Sequence, residues 1–290
     1  MINITSITDL SELIRSQNLE LKRKNSEISQ LYSDLRESFE ALSELNVKLR
    51  ATNEELRYRN KVQAEFINIA AHELRTPTQS IIGYCEMLSM YPDSSQDYLE
   101  RLSKSADRLY TLISDLLDVT RIEIGMLKLT KDDFNLIDIT REAVNDIKRK
   151  TYLSNKNNAK VKVKPKIKLI HPSHPIIIHA DKHRITQVLF NLLDNAIKFT
   201  NSGTIMVSIK PDVKNFVRIS VKDNGKGIDT RIQPKLFEKF TTMSDAGIGL
   251  GLFISKKIIS AHGGSISGKN NENARGATFS FTLPNSISNK

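Results

Sequence analysis

Residues 66–84 read FINIAAHELRTPTQSIIGY, and at the centre of this stretch His72 is followed at once by Glu73, with Thr76 and Pro77 one turn later. A neutral imidazole is a usable nucleophile near pH 7, and an adjacent carboxylate can orient the ring and take its proton. A bare His-Glu dipeptide is common, however, and on its own reads as a surface histidine beside a solvated glutamate. Its meaning rests on what flanks it.

Upstream, Ile7, Ile14, Leu21, Ile28, Leu35, Leu42, Leu49 and Leu56 fall on one seven-residue stripe, and no proline or glycine occurs before Pro77. The pattern predicts a long coiled-coil helix over residues 1–60 whose apolar seam needs a partner, most simply the same helix of a second copy. Companion positions are mixed, Leu10 and Leu31 alternating with Gln17, Lys24 and Ser38. So imperfect a seam reads equally as a switchable signalling helix or as a plain dimerisation rod. The same frame puts Phe66 and Ala70 on the seam and turns His72 outward, where a second domain can reach it. Pro77 removes a backbone donor and is expected to bend the helix.

Downstream, Tyr91, Pro92, Asp93 and Ser94 mark a break, after which Leu99, Leu102, Ala106, Leu109, Ile113, Leu116 and Thr120 restore a helical period. Residues 61–125 are therefore expected to form an antiparallel helical hairpin, two copies of which make a four-helix bundle. Glu123, Ile124, Gly125 and Met126 form the hinge to the rest.

From Phe134 the texture becomes mixed. Helices are expected over 137–150, 234–240 and 250–261, with a further one capped by Asp181 whose apolar face is Ile185, Val188, Leu189, Leu192, Ala196 and Phe199. Strands are expected at 161–163, 176–179, 204–210 and 216–223, with closing strands including 277–283. Strands in antiparallel hairpins with helices between them predict an α+β sandwich over residues 130–286. The fold class is thus multidomain: long helix, helical hairpin, then sandwich.

The chain's 290 residues can bury a sizeable core. Cys85 is its one cysteine, which fits a reducing compartment and speaks against a thiolate metal site. No apolar run is long enough for a membrane span and the first residues lack a signal-peptide pattern, so a cytoplasmic protein is expected. The net charge of +10 is scattered and no nucleic-acid motif accompanies it, so nucleic acid is not an expected partner.

Three constellations in the mixed part carry chemistry. Asn191, Asn195 and Lys198 share one stripe of the helix capped by Asp181; their neutral oxygens suit a hydrated Mg2+, and the ammonium suits phosphate. Two asparagines alone would merely decorate a helix edge. Asp223 continues the inward parity of Val217, Ile219 and Val221 before Asn224, Gly225, Lys226 and Gly227. A carboxylate turned inward wants a donor, and an adenine amine is one. Gly247, Gly249 and Gly251 stand directly before a helix, where backbone amides approach phosphate closely. Neither a P-loop nor the dinucleotide fingerprint fits this spacing. The intervening TTMSDA, residues 241–246, is short enough to be a mobile lid anchored by Phe237 and Phe240.

Taken together, HELRTP, NLLDNAIKFT, DNGKGID, LFEKF and GIGLGL resemble, in order and spacing, the H, N, first glycine, F and second glycine boxes of sensor histidine kinases of two-component signalling. The resemblance covers roughly Lys61 to Pro284. It implies a dimerisation and phosphoacceptor domain followed by a Bergerat-type ATP-binding domain. The implied activity is ATP-dependent autophosphorylation at His72 and transfer to an aspartate of a response regulator receiver domain. Carried over position by position, His72 is the phosphoacceptor, Glu73 its acid/base partner and Asn195 the Mg2+ ligand beside Asn191. Lys198 meets phosphate and Asp223 meets adenine. Gly225, Gly227, Gly247, Gly249 and Gly251 shape the pocket and lid, and Thr278 joins the adenine network. Glu73 with Thr76 also resembles the pair with which related kinases dephosphorylate their regulators, which implies a dual role. The implied partners are a second copy in a homodimer and the regulator, with input through the coiled coil, as from an upstream sensor protein. Relatives often carry a basic residue just after the F box, where this chain has Thr241 and Thr242; the missing charge is supplied by Lys239 or by a partner, or else the kinase is slow. A different Bergerat ATPase would own the nucleotide boxes but not the histidine helix, and a non-enzymatic scaffold would not need the boxes intact.

Overall fold

The computed structural model describes residues 4–91, 95–156, 165–242, 248–272 and 275–285, in two compact units, Met1–Asn68 and Ile69–Lys290. The first unit is a stretch of helix α1, which runs Ile4–Met90. Ion pairs one turn apart, such as Arg23 with Glu27 and Lys48 with Glu44, line its surface. Exposed pairs of this kind add at most about 0.5 kcal/mol each. The apolar stripe from Ile14 to Leu56 stays 48–65 % exposed, so the packing surface that the heptads encode is open on the single helix.

In the second unit α1 passes through Pro77 without ending. Pro77 leaves the Glu73 carbonyl without its amide donor, while hydroxyls around it bond back to carbonyls four residues earlier: Thr78 Oγ1 to Leu74 O at 2.7 Å and Ser80 Oγ to Thr76 O at 3.0 Å. Helix α2 (Ser95–Glu123) returns along α1. Tyr98 stacks on Tyr84 at 6.4 Å between ring centroids, and Arg108 Nη2 meets Glu73 Oε2 at 3.1 Å. One helix ascends in number as the other descends, so the hairpin is antiparallel. It ends where Met126 N reaches Arg121 O at 2.8 Å across Gly125, whose φ of +69° closes the last turn at the expected hinge.

The remainder is a sandwich built from β1 (Asp132–Asn135), α3 (Leu136–Lys156), β2 (Lys166–Ile170), β3 (Ile177–Ala180), α4 (Lys182–Phe199), β4 (Thr204–Asp212), β5 (Phe216–Lys222), α5 (Gly251–Ala261), β6 (Ile266–Asn270) and β7 (Ala277–Pro284). A five-stranded sheet has the order β2-β4-β5-β7-β6, antiparallel except for the parallel β2–β4 pair, and β1 and β3 form a separate antiparallel pair. In β5, Val217, Ile219 and Val221 are buried while Arg218 and Lys222 are exposed. That alternation belongs to a sheet with one packed and one solvated face. The packed face meets Val188, Leu189, Leu192 and Leu193, all fully buried on α4. Asp181 caps α4, its Oδ1 accepting from Arg184 N at 3.1 Å. His262, after α5, accepts the Asp181 N–H at 3.0 Å, and burial lowers its pKa, which suits a neutral ring in that role.

Two expectations change. Over 234–240 the chain makes only a short 3-10 turn, Gln233–Lys235, and then further turns to Phe240, whose φ is +65°. A residue in that left-handed conformation cannot continue a helix. Neither β1 nor β2 was expected; DDFN is poor in strand formers, and β1 exists because Phe134 stands opposite Ile178 of β3. The strand expected at 161–163 lies outside the described residues.

A second face of α2 joins the hairpin to the sandwich. Asp118, 5 % exposed, accepts from Arg184 Nη1 at 2.6 Å and from Gln187 Nε2 at 2.8 Å, both on α4. Glu123 pairs with Lys239. Removing one partner of a buried pair leaves a desolvated charge behind, so Asp118→Ala is expected to lower the unfolding free energy by about 3–5 kcal/mol. Urea unfolding reads this as a fall in midpoint, with most of the loss recovered by pairing Asp118→Leu with Arg184→Met. A single variant within about 0.5 kcal/mol of the parent would count against the pair.

Candidate nucleotide site

One cavity of about 600 Å3 is lined by α4, by the segments around Asp223 and Gly249, and by one face of α2. The stripe on α4 is as the spacing requires: Asn191, Asn195 and Lys198 all line it. Asn191 is set by Nδ2 donating to Ser255 Oγ on α5 at 2.8 Å, and its Oδ1 takes a long bond of 3.5 Å from Asn195 Nδ2. Asn195 Oδ1 has no protein donor among the described residues and is available to a cation. Gly251 begins α5 against this amide, where an added Cβ would collide with Asn191 Oδ1. The N-cap of α5, Leu250, brings no side-chain cap, so the first amides of that helix keep their capacity for an anion.

Asp223 is 4 % exposed and lines the cavity. Its Oδ1 accepts from Gly225 N at 2.7 Å and from Ala277 N at 3.2 Å. Oδ2 has no protein donor among the described residues, so the carboxylate is fixed at one oxygen and open at the other. Gly276, which the sequence reading missed, supports this arrangement: its φ is +97° and a Cβ there would collide with the Asp223 carbonyl. Gly227 and Gly249 line the cavity, whereas Gly225 stands behind it through its bond to Asp223. Gly247 lies outside the described residues, as does the lid from Met243 onward; Thr241 and Thr242 line the cavity.

Thr278 is not in the lining. Strand parity turns its neighbours Ala277 and Phe279 to the cavity, and Thr278 Oγ1 instead donates to Asn271 Oδ1 at 2.6 Å. Asn271 Nδ2 donates to the Asp223 carbonyl at 2.8 Å, so Thr278 reaches the site only through Asn271. Lys239 does not line the cavity either: it is paired with Glu123 and sits 5.4 Å from the Phe253 ring centroid.

His72, Glu73 and Thr76 lie on α1 outside the lining. The His72 side chain is 75 % exposed, with Nδ1 3.7 Å from Glu73 Oε1. Thr76 Oγ1 turns back to His72 O at 3.4 Å. What links them to the cavity is α2, which turns Lys104, Arg108, Thr111, Leu112 and Asp115 toward it at spacings of three and four residues. The sequence reading saw only the apolar stripe of that helix. Burial, with Asp118 adding, pushes the Asp115 carboxyl up to about 6. The Lys198 pKa is lowered, first by partial burial and then by the cations Arg108 and Lys226.

Residues 62–125 match the His Kinase A (phospho-acceptor) domain, and residues 180–287 the histidine kinase-, DNA gyrase B- and HSP90-like ATPase domain. The chain is similar to the sensor protein GacS of Pseudomonas syringae pv. syringae, with 32 % identity over 268 residues that make up 88 % of this chain and 29 % of GacS. It thus spans under a third of that relative. Its fold is similar to that of full-length ShkA in complex with AMPPNP, with a TM-score of 0.58 and 25 % identity over 76 % of this chain and 45 % of ShkA. It is also similar to the histidine kinase ThkA in complex with the response regulator protein TrrA, with a TM-score of 0.56 and 29 % identity over 79 % of this chain and 64 % of that one. With both domains matched in the order in which the five boxes occur, the chain belongs to the sensor histidine kinases of two-component signalling.

Proposed function

We propose that this chain is an ATP-dependent protein-histidine kinase that phosphorylates its own His72 and passes the phosphoryl group to an aspartate of a response regulator receiver domain. The observation that carries the reading is Asp223, buried yet open at one oxygen in a cavity that also holds Asn191, Asn195 and Lys198. Adenine would be read by Asp223 Oδ2, and phosphates would lie toward Lys198 and the start of α5. Asn195, with Asn191 beside it, would hold Mg2+, which neutralises phosphate charge when bound. Phosphoryl transfer then asks for little beyond positioning and charge neutralisation.

The chemistry at His72 follows from which ring nitrogen is engaged. Nδ1 faces Glu73, leaving Nε2 as the nucleophile. Nε2 bonds to the γ-phosphorus, the bond to the β,γ-bridging oxygen breaks, ADP leaves and the Nδ1 proton passes to the Glu73 carboxylate. Labelled ATP with Mg2+ tests the reading: acid-labile label on the chain is the expected result.

The division of labour belongs to the same proposal: a coiled-coil signalling helix over 1–60, a dimerisation and phosphotransfer domain over 61–125, and an ATP-binding domain over 130–286. A homodimer is favoured by the exposed heptad stripe of α1 and by exposed Leu99, Ile113 and Leu117 on the hairpin. Among the described residues no helix is long and apolar enough to cross a membrane, which accords with a cytoplasmic kinase fed by an upstream sensor protein. ThkA, found with TrrA, is the precedent for a receiver-domain partner.

The exposed Thr76 hydroxyl, one turn from His72, is placed to position water for removal of the regulator's phosphate. Thr76→Ala is expected to lower dephosphorylation of the cognate regulator about tenfold while autophosphorylation stays within about twofold of the parent. Parallel loss of both activities would remove the phosphatase role.

A further inference from the structure

Arg108 belongs to the hairpin, yet it lines the nucleotide cavity. Its Nη2 donates to Glu73 Oε2 at 3.1 Å, and the other oxygen of that carboxylate, Oε1, is 3.7 Å from His72 Nδ1. One guanidinium therefore touches both the space for ATP and the group that must take the histidine's proton. Held by Arg108, the Glu73 carboxylate has one oxygen engaged by a guanidinium while the other faces the ring that must give up its proton. Arg108 also stands near Lys198, whose charged form is disfavoured first by partial burial and then by the Arg108 and Lys226 cations. Lys239, the alternative source of charge after the F box, is engaged by Glu123.

We propose that Arg108 is the residue that makes proton removal from His72 conditional on a terminal phosphate. Its guanidinium leaves Glu73 for the γ-phosphate of bound ATP, which neutralises the group being transferred and frees the carboxylate to take the Nδ1 proton. The covalent balance is that of the transfer already described: the Nε2–P bond forms, the P–O bond to ADP breaks, and the proton ends on Glu73. A planar fork with several N–H donors suits both positions, since it can bind a carboxylate or two phosphate oxygens with the same geometry. The proposal rests on the kinase reading and adds to it a residue from outside the ATP-binding domain.

The test is single-turnover autophosphorylation of the full chain at saturating ATP, run beside equilibrium binding of ATP and ADP, for the parent, Arg108→Ala, Arg108→Lys, Glu73→Gln and the double variant Arg108→Ala/Glu73→Gln. Arg108→Ala is expected to slow transfer about 100-fold and to weaken ATP selectively, leaving ADP affinity within about twofold, because ADP lacks the phosphate that Arg108 meets. Arg108→Lys should recover part of the rate, as a point charge without the fork. The double variant should be no slower than the slower single one, since the two residues act on one proton. Equal loss of ATP and ADP binding in Arg108→Ala, or transfer at the parental rate, overturns the proposal while leaving the kinase reading intact. A parent that takes no acid-labile label overturns both.

Discussion

His72→Gln takes no acid-labile label from ATP, a loss of at least ~1000-fold against the parent, and it still binds ATP with parental affinity. The two halves of this expectation come from different parts of the structure. Label is lost because glutamine keeps the polarity and approximate reach of histidine but has no nitrogen lone pair able to attack phosphorus. Binding is kept because His72 is not among the residues lining the cavity. The fold is kept as well: the side chain is 75 % exposed, and glutamine is a good helix former, so the substitution neither opens a cavity nor strands a buried group. Phosphoramidate chemistry supplies the diagnostic, because a phosphohistidine hydrolyses in acid whereas a phosphoserine or phosphothreonine does not. Label surviving acid in the parent, or persisting in His72→Gln, would place the acceptor elsewhere and remove His72 from the mechanism. ATP binding without any label in the parent would instead point to a silent module and favour the scaffold reading.

Much of this site was legible because its side chains lie on regular elements. On α4 the three-and-four spacing of Asn191, Asn195 and Lys198 can be read as a stripe, and the cap at Asp181 fixes where the helix begins. On β5 parity alone carried Asp223 inward, since Val217, Ile219 and Val221 settle which face is buried. The same parity argument, applied to β7, would have turned Thr278 away from the cavity and Ala277 and Phe279 toward it. Resemblance carried Thr278 into the site, and register places it one step back from the cavity, behind Asn271.

What sequence could not show is what two elements do to each other. Arg108 carries no motif; its place depends on α2 having two working faces, one apolar and one turned to the cavity. Gly276 reads as an ordinary turn glycine until the Asp223 carbonyl is seen against it. β1 is a strand only because β3 lies beside it. These are contacts between residues some 35–53 positions apart, and local periodicity carries no information about them.

Asp223→Asn should separate recognition of the base from support of the fold. Asp223 Oδ1 already accepts two backbone amides, from Gly225 and Ala277, and the amide oxygen of asparagine can accept both in the same place. Stability is therefore expected to change by less than about 1 kcal/mol, read as an unfolding midpoint near the parent's. At the other end of the group the chemistry inverts. Oδ2 accepts, and the exocyclic amine of adenine donates; the asparagine NH2 also donates, so a hydrogen bond is replaced by two donors facing each other in a buried place. Losing a buried hydrogen bond and leaving its partner unsatisfied costs about 3 kcal/mol, which is roughly a 100-fold weakening of ATP binding. Hypoxanthine carries a carbonyl where adenine carries the amine, so the same substitution should favour ITP, and the ratio of ATP to ITP affinity should fall further than ATP affinity alone. Equal weakening of both nucleotides together with a lowered unfolding midpoint would mean that Asp223 serves the turn at Gly225 and Gly276 rather than the base. A fall in the ratio at constant stability would mean that the open oxygen is the one that reads adenine.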